Sequence, residues 1–124
     1  MRTRSRTLTE QELEIMKVVW EFETATVRDV YEALRRRRKI AYTTVMTMMN
    51  ILEEKGYLKK RAGDRAHLYR PAQPRARVIR TMVREFVGRV FNGAAEPLLV
   101  QLVNDRQLSR KELEKIARSI EEGE

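Results

Sequence analysis

Between Ala41 and Gly56 the chain carries two stripes of opposite chemistry at helical spacing. Val45, Met48, Met49 and Leu52 recur at i, i+3, i+4, i+7 and predict the inward side of a helix from about Tyr42 to Lys55. The other side carries Thr43, Met46, Thr47 and Asn50 at the same spacing, with Thr44 beside them. That side is short and uncharged, while cations stand at its margins: Arg38, Lys39, Lys55, Lys59 and Lys60. Short donors and methyl groups at the centre, with cations at the edge, suit a helix entering a DNA major groove. The hydroxyls reach bases or phosphates, and the threonine methyls and Met46 pack on thymine methyls. A membrane-surface helix instead sets Lys and Arg on its polar face against large apolar groups on the other. Threonine is a mediocre helix former, so three of them within Thr43–Thr47 need a reason beyond helix stability.

Two other basic features lie nearby in the sequence. The run Arg35-Arg36-Arg37-Arg38-Lys39 precedes the helix and reads as a phosphate-contacting segment, supplying affinity without sequence choice. Gly63 and Asp64 form a turn from which Arg65 projects, a position suited to phosphates or a narrow minor groove. His67 is either a second contact at this turn or a packing partner of Tyr69.

The elements that must position these groups have local signals. Thr9 and Glu12 form a capping box, with Leu8 and Leu13 as its hydrophobic staple, and Leu13, Met16, Val19 and Trp20 continue at helical spacing. Thr26 and Asp29 open a second helix with the stripe Val27, Val30, Tyr31 and Leu34. Gly56 stands where a glycine stops the third helix. Tyr57–Arg61 and Ala66–Arg70 alternate around the Gly-Asp turn and predict a β-hairpin. Helix, helix, helix, hairpin is the order of a winged helix-turn-helix. The fold class is therefore mainly α with a small β-hairpin, a winged helix-turn-helix followed by a helical C-terminal region.

The division is expected at Pro71-Ala72-Gln73-Pro74, giving a winged-helix domain at 1–74 and a helical domain at 75–124. The second domain predicts a helix over Arg75–Phe91 with the stripe Ile79, Met82, Val83, Phe86, Val87, Val90 and Phe91. An apolar segment, Leu98, Leu99, Val100, Leu102 and Val103, follows Pro97. Ser109 and Glu112 cap a last helix with Leu113, Ile116 and Ile120 inward. Three short helices cannot bury so much apolar surface alone. They fold back on the first domain or meet a second copy. The proline connector favours the second copy.

Composition narrows the function. The chain has 124 residues, no cysteine and one histidine, which excludes disulfides, Cys-ligated metals and thiol catalysis and leaves a His-rich metal site without ligands. No cofactor is expected, nor an enzyme: the phosphate-binding glycine motifs and the G-x-S-x-G elbow are absent. A net charge of +8 suggests a polyanionic partner, and 6% aromatics disfavours single-strand binding by base stacking. The first 74 residues hold 16 Lys and Arg against 10 Asp and Glu, so the excess sits mainly with the predicted winged domain. No apolar run spans a membrane, and the basic stretch Met1–Thr7 leads into Thr9-Glu10-Gln11-Glu12 rather than an apolar signal segment. The expected compartment is the cytoplasm. A rival class is a basic helical adaptor that coats DNA or binds a protein without sequence choice. Operator-to-random affinity as salt rises discriminates the two.

From Leu8 to about Glu121 the chain resembles the penicillinase-repressor (BlaI/MecI/CopY) family of bacterial winged-helix repressors. The resemblance rests on Ala41-Tyr42-Thr43-Thr44-Val45-Met46-Thr47 followed by Leu52, Lys55 and Gly56. Leu8-Thr9-x-x-Glu12 with Met16 and Trp20, Thr26-Val27-Arg28-Asp29-Val30, and Arg65-Ala66-His67-x-Tyr69-x-Pro71 support it. It implies a transcriptional repressor that binds a palindromic double-stranded operator, similar to TACA–TGTA, as a homodimer. The family's base-reading role then carries onto Thr43, Thr44, Met46 and Thr47, with Tyr42 beside them, and its backbone role onto Arg28 and Arg65. Arg37, Arg38 and Lys39 of the basic run, with Asn50 and His67, complete the candidate backbone contacts. The dimer interface comprises Ile79, Met82, Val83, Phe86, Val87, Val90, Phe91, Leu98, Leu99, Leu102, Val103, Leu113, Ile116 and Ile120. Some members carry Lys and Arg at the positions of Thr43 and Met46. The copper-responsive branch has C-x-C pairs that this chain lacks. The resemblance also implies penicillinase-type regulation, in which a membrane sensor protease induces by cutting an Asn-Phe bond; the matching pair here is Gln101-Leu102.

Overall fold

The computed structural model describes residues 7–123, so the basic N-terminal stretch before Thr7 lies outside the described residues. Helices α1 (Glu10–Phe22), α2 (Val27–Arg35) and α3 (Tyr42–Glu54) lead into strands β1 (Leu58–Ala62) and β2 (His67–Pro71). Helices α4 (Arg75–Phe91), α5 (Glu96–Asn104) and α6 (Arg110–Glu122) follow. Capping boxes start α1, α2 and α6 as expected: Thr9 with Glu12, Thr26 with Asp29, and Ser109 with Glu112 each exchange both hydrogen bonds. The third helix stops one residue earlier than predicted, with Lys55 as its cap. There the Gly56 N–H donates to Glu53 O at 3.1 Å and the Tyr57 N–H to Leu52 O at 2.9 Å. This paired closure needs φ of +89° at Gly56, a conformation that favours glycine.

Use of the Tyr57 N–H in that closure displaces the hairpin one residue from the predicted boundaries. β1 and β2 pair antiparallel from Leu58↔Pro71 to Ala62↔His67. At the turn the Gly63 N–H donates to Ala66 O at 3.0 Å, and a Cβ on Gly63 would stand 2.5 Å from that oxygen. A further pairing joins Ala25, between α1 and α2, to Tyr69: their N–H groups donate to each other's carbonyls at 2.9 and 2.8 Å.

One core unites these elements. Ile15, Met16, Val18 and Val19 of α1, Val30 and Leu34 of α2, and Val45, Met49 and Leu52 of α3 close on Leu58 and Tyr69 of the hairpin. Full burial of each such aliphatic side chain contributes about 1.5–3 kcal/mol. A buried ion pair crosses this core's edge: Lys55 Nζ lies 2.8 Å from Glu12 Oε1, with the two side chains 7% and 6% exposed. Lys55 Nζ also donates to Thr7 O at 3.2 Å, and Glu12 Oε1 accepts the Thr9 N–H at 3.0 Å.

The chain divides into two compact units, one ending at Met82 and the other beginning at Val83. The boundary thus falls within α4, not at the proline connector. The physical reason is that the connector is bonded into the first unit. The Ala72 N–H donates to Tyr57 O at 2.8 Å, Gln73 Nε2 donates to Gly56 O at 3.1 Å, and Val78 is buried in the first core. Ile79 and Met82, expected at a dimer interface, belong to the first unit, and Met82 packs against its core.

The second unit has no buried residue among those described. Val83, Phe86, Val90, Leu99, Ile116 and Ile120 are exposed, Val90 and Val83 each by 50%. Val87, Phe91, Leu98, Leu102, Val103 and Leu113 are half-buried. The Phe86 and Phe91 rings meet edge to face at 5.9 Å. Gln101 and Leu102 both lie inside α5.

Candidate nucleic-acid interface

The period of α3 sorts its side chains as the sequence predicts. Val45, Met49 and Leu52 are buried and Met48 is half-buried, while Tyr42, Thr43, Thr44, Met46, Thr47 and Asn50 are exposed. Ala41, the N-cap, offers no side-chain oxygen, so no capping side chain takes the first-turn N–H groups of α3.

A concave cradle of about 750 Å³ opens beside this face. Tyr42, Met46 and Asn50 of α3 line it, opposite Lys60, Arg65, His67 and Tyr69 of the hairpin; Thr26, Val27 and Arg28 at the start of α2 close its end. Thus Arg28, Arg65 and His67 gather around the exposed face of α3. Thr43, Thr44 and Thr47 are exposed on the same helix but do not line the cradle. Lys60, which flanks the helix in the sequence, enters the lining.

The Arg35–Lys39 run splits. Arg36, Arg37 and Lys39 are exposed. Arg38 instead turns to α1, donating to Glu14 Oε1 from Nη2 at 2.9 Å and from Nε at 3.2 Å. That pairing compensates its charge within the protein. Arg35 donates from Nε to Glu32 Oε1 at 2.7 Å, and Arg28 Nη1 reaches Glu32 Oε2 at 3.4 Å. The Arg35 hydrogen bond, foremost, holds the Glu32 carboxyl below its ordinary range, and Glu32 in turn raises the Arg35 guanidinium. The Arg28 and Arg35 guanidinium carbons stand over the Tyr42 and Tyr31 rings at 5.3 and 5.8 Å. These rings meet edge to face at 5.5 Å.

Asn50 is committed as well. The Tyr69 hydroxyl donates to Asn50 Oδ1 at 3.0 Å, tying the hairpin to the exposed side of α3. Burial pushes the Tyr69 phenol above its ordinary value, so it remains the donor at neutral pH. Asn50's amide group is left to face outward contacts as a donor. Tyr69, Tyr31 and Glu32 were not singled out as site residues from sequence. The i, i+4, i+7 spacing of Arg28, Glu32 and Arg35 is the signal that points to the last. His67 lines the cradle and is exposed.

No cluster of three His, Cys, Asp or Glu side chains suited to a metal occurs among the described residues. No helix among them is long and apolar enough to cross a membrane.

A family model described as penicillinase repressor matches residues 8–122. Over 115 residues the chain is 26% identical to the penicillinase repressor of Bacillus licheniformis, spanning 93% of this chain and 90% of that protein. It is 35% identical over 91 residues to the transcriptional regulator BlaI of Mycobacterium tuberculosis, spanning 72% of this chain and 66% of that one. Among solved structures, the solution structure of the Bacillus licheniformis BlaI monomeric form in complex with the blaP half-operator aligns with a TM-score of 0.50. The alignment has 27% identity and covers 56% of this chain and 85% of that one.

Proposed function

Because this chain belongs to the penicillinase-repressor family, whose members are transcriptional repressors and not enzymes, we propose that its winged unit reads double-stranded DNA through α3. The observation that carries this reading is the exposed face of α3 beside a cradle rimmed by Arg28, Lys60 and Arg65. Tyr42, Thr43, Thr44, Met46 and Thr47 meet base edges. Arg28, Arg65 and His67 around the cradle, and the exposed Arg37 and Lys39 of the run before α3, meet phosphates. This division gives short side chains the bases and long cations the backbone, as their reach requires. Asn50 stands between the roles, one amide oxygen held by Tyr69 and its donors open.

The second unit supplies dimerisation on a palindromic operator. Its unburied Val83, Phe86, Val90, Leu99, Ile116 and Ile120 gain an interior by meeting those of a second copy. Two linked winged units make the second DNA contact intramolecular, which raises avidity about 10²–10⁴-fold. Induction by a sensor protease would act at Gln101-Leu102. Since both residues lie in α5, that helix must unwind locally before the bond can be cut.

The test is selection from a randomised duplex pool by the full chain, followed by titration of the selected site and a shuffled duplex at several salt concentrations. An inverted repeat is expected to emerge. Thr47→Ala is expected to weaken the selected duplex by about 1–3 kcal/mol and leave the shuffled one nearly unchanged. A pool that stays random, with both affinities falling together as salt rises, refutes base reading and favours a DNA-coating protein.

A further inference from the structure

Five side chains where α2 meets the start of α3 form a closed ring. Glu32 divides its two carboxylate oxygens between Arg28, at 3.4 Å, and Arg35, at 2.7 Å. Arg28 lies over the Tyr42 ring and Arg35 over the Tyr31 ring, and the Tyr31–Tyr42 contact completes the circuit. Four members belong to α2, whereas Tyr42 is the first residue of α3.

Each link alone is weak, because Arg28 and Arg35 are exposed. Closure changes what the links do. An arginine on a free stem finds a phosphate in any docking register and so strengthens binding to every duplex. An arginine held between a carboxylate and the first ring of α3 has a fixed place relative to the side chains that face the bases. It meets a phosphate well only when α3 is seated in its reading register. The carboxylate also opposes DNA binding as a charge, which makes its presence beside the cradle costly unless it positions something.

Resting on the DNA-reading role proposed above, we infer that Glu32 is a positioning residue for sequence selectivity: it holds Arg28 against Tyr42 so that this cation supports the specific register of α3 over others. Glu32 itself touches no DNA. It lowers affinity for arbitrary duplexes and keeps affinity for the selected one.

The experiment uses the full chain, the duplex it selects from a randomised pool, and a shuffled duplex, compared by fluorescence anisotropy at fixed salt. Glu32→Ala removes a negative charge, so electrostatics alone tightens both duplexes equally. The expected result is tighter binding to the shuffled duplex without a matching gain on the selected one. The affinity ratio then falls about three- to tenfold, the combined size of a helical ion pair and an exposed cation–π contact. Adding Arg28→Ala to Glu32→Ala is expected to lower the ratio no further, since the two act as one unit. Arg28→Ala alone, which removes the cation that Glu32 holds, provides a second variant with the same expected fall in the ratio. Equal tightening on both duplexes, or an additive loss in the double variant, overturns the inference. A wild-type chain with no preferred duplex refutes base reading itself; a preference that Glu32→Ala leaves intact refutes only the role of Glu32.

Discussion

Helices α1 and α6 begin with the same device in opposite surroundings. In α1 the Glu12 side chain that completes the capping box is buried and also binds Lys55, from the far end of α3. In α6 the corresponding Glu112 is exposed, and its carboxyl is held below its ordinary value mainly by the Ser109 N–H. The same contrast separates the units that contain them. The first closes its apolar stripes into one core; the second leaves its stripes open. A capping box thus fixes where a helix starts and does nothing to say what the helix will bury. Completion depends on distant chain in the first unit and, on the reading proposed here, on another molecule in the second.

The largest expected effect breaks that last step. Phe86→Asp with Val90→Asp should yield a folded monomer by sedimentation and weaken binding to the selected duplex about 10²–10⁴-fold. An unchanged mass would show that the second unit's stripes are not the dimer contact. Next in size is Lys55→Ala. Removal of one partner from a buried pair costs about 3–5 kcal/mol, because the other charge remains buried. Denaturant unfolding of the full chain should show this loss, and a change below about 1 kcal/mol, the upper end for an exposed pair, would mean that solvent reaches Glu12.

The smallest effect comes from the exposed capping box. Glu112 has a folded pKa below its unfolded value, so its stabilisation is fully present above the ordinary carboxylate range. It is lost as pH falls through the depressed value. Backbone chemical shifts at the start of α6 should move over that acid range in the wild type and stay flat in Glu112→Gln. Parallel movement in both would assign the change to other carboxylates.

The legible parts of the chain were the local ones. Thr9 with Glu12, Thr26 with Asp29, and Ser109 with Glu112 lie three residues apart, and each marks a helix start without reference to the rest of the fold. The stripe on α3 separated its outward residues from its buried ones for the same reason. What escaped was set by tertiary approach. Nothing near Arg38 indicates that Glu14, 24 residues away, will claim it, nor that Tyr69 will bond to Asn50 and pair with Ala25. The stripe Ile79–Phe91 is continuous on one helix, so periodicity could not show that Val78 and Met82 would go to the first core. The spacing of Arg28, Glu32 and Arg35 was visible, but their closure through Tyr42 required the angle between two helices.

The Lys55–Glu12 contact also bears on time as well as free energy. Its partners stand 43 residues apart, with α2 and all of α3 between them. Helix caps close within three residues, whereas this latch forms only after the intervening chain has been folded back and its loop-closure entropy overcome. We expect it to form on the late side of the folding barrier, so that Lys55→Met speeds unfolding in stopped-flow measurements and leaves the folding rate nearly unchanged. An interaction made after the barrier does little for the speed of folding and much to delay escape from the native state. On that ordering the pair acts as a brake on unfolding, and lengthens the time for which one folded copy keeps α3 in place.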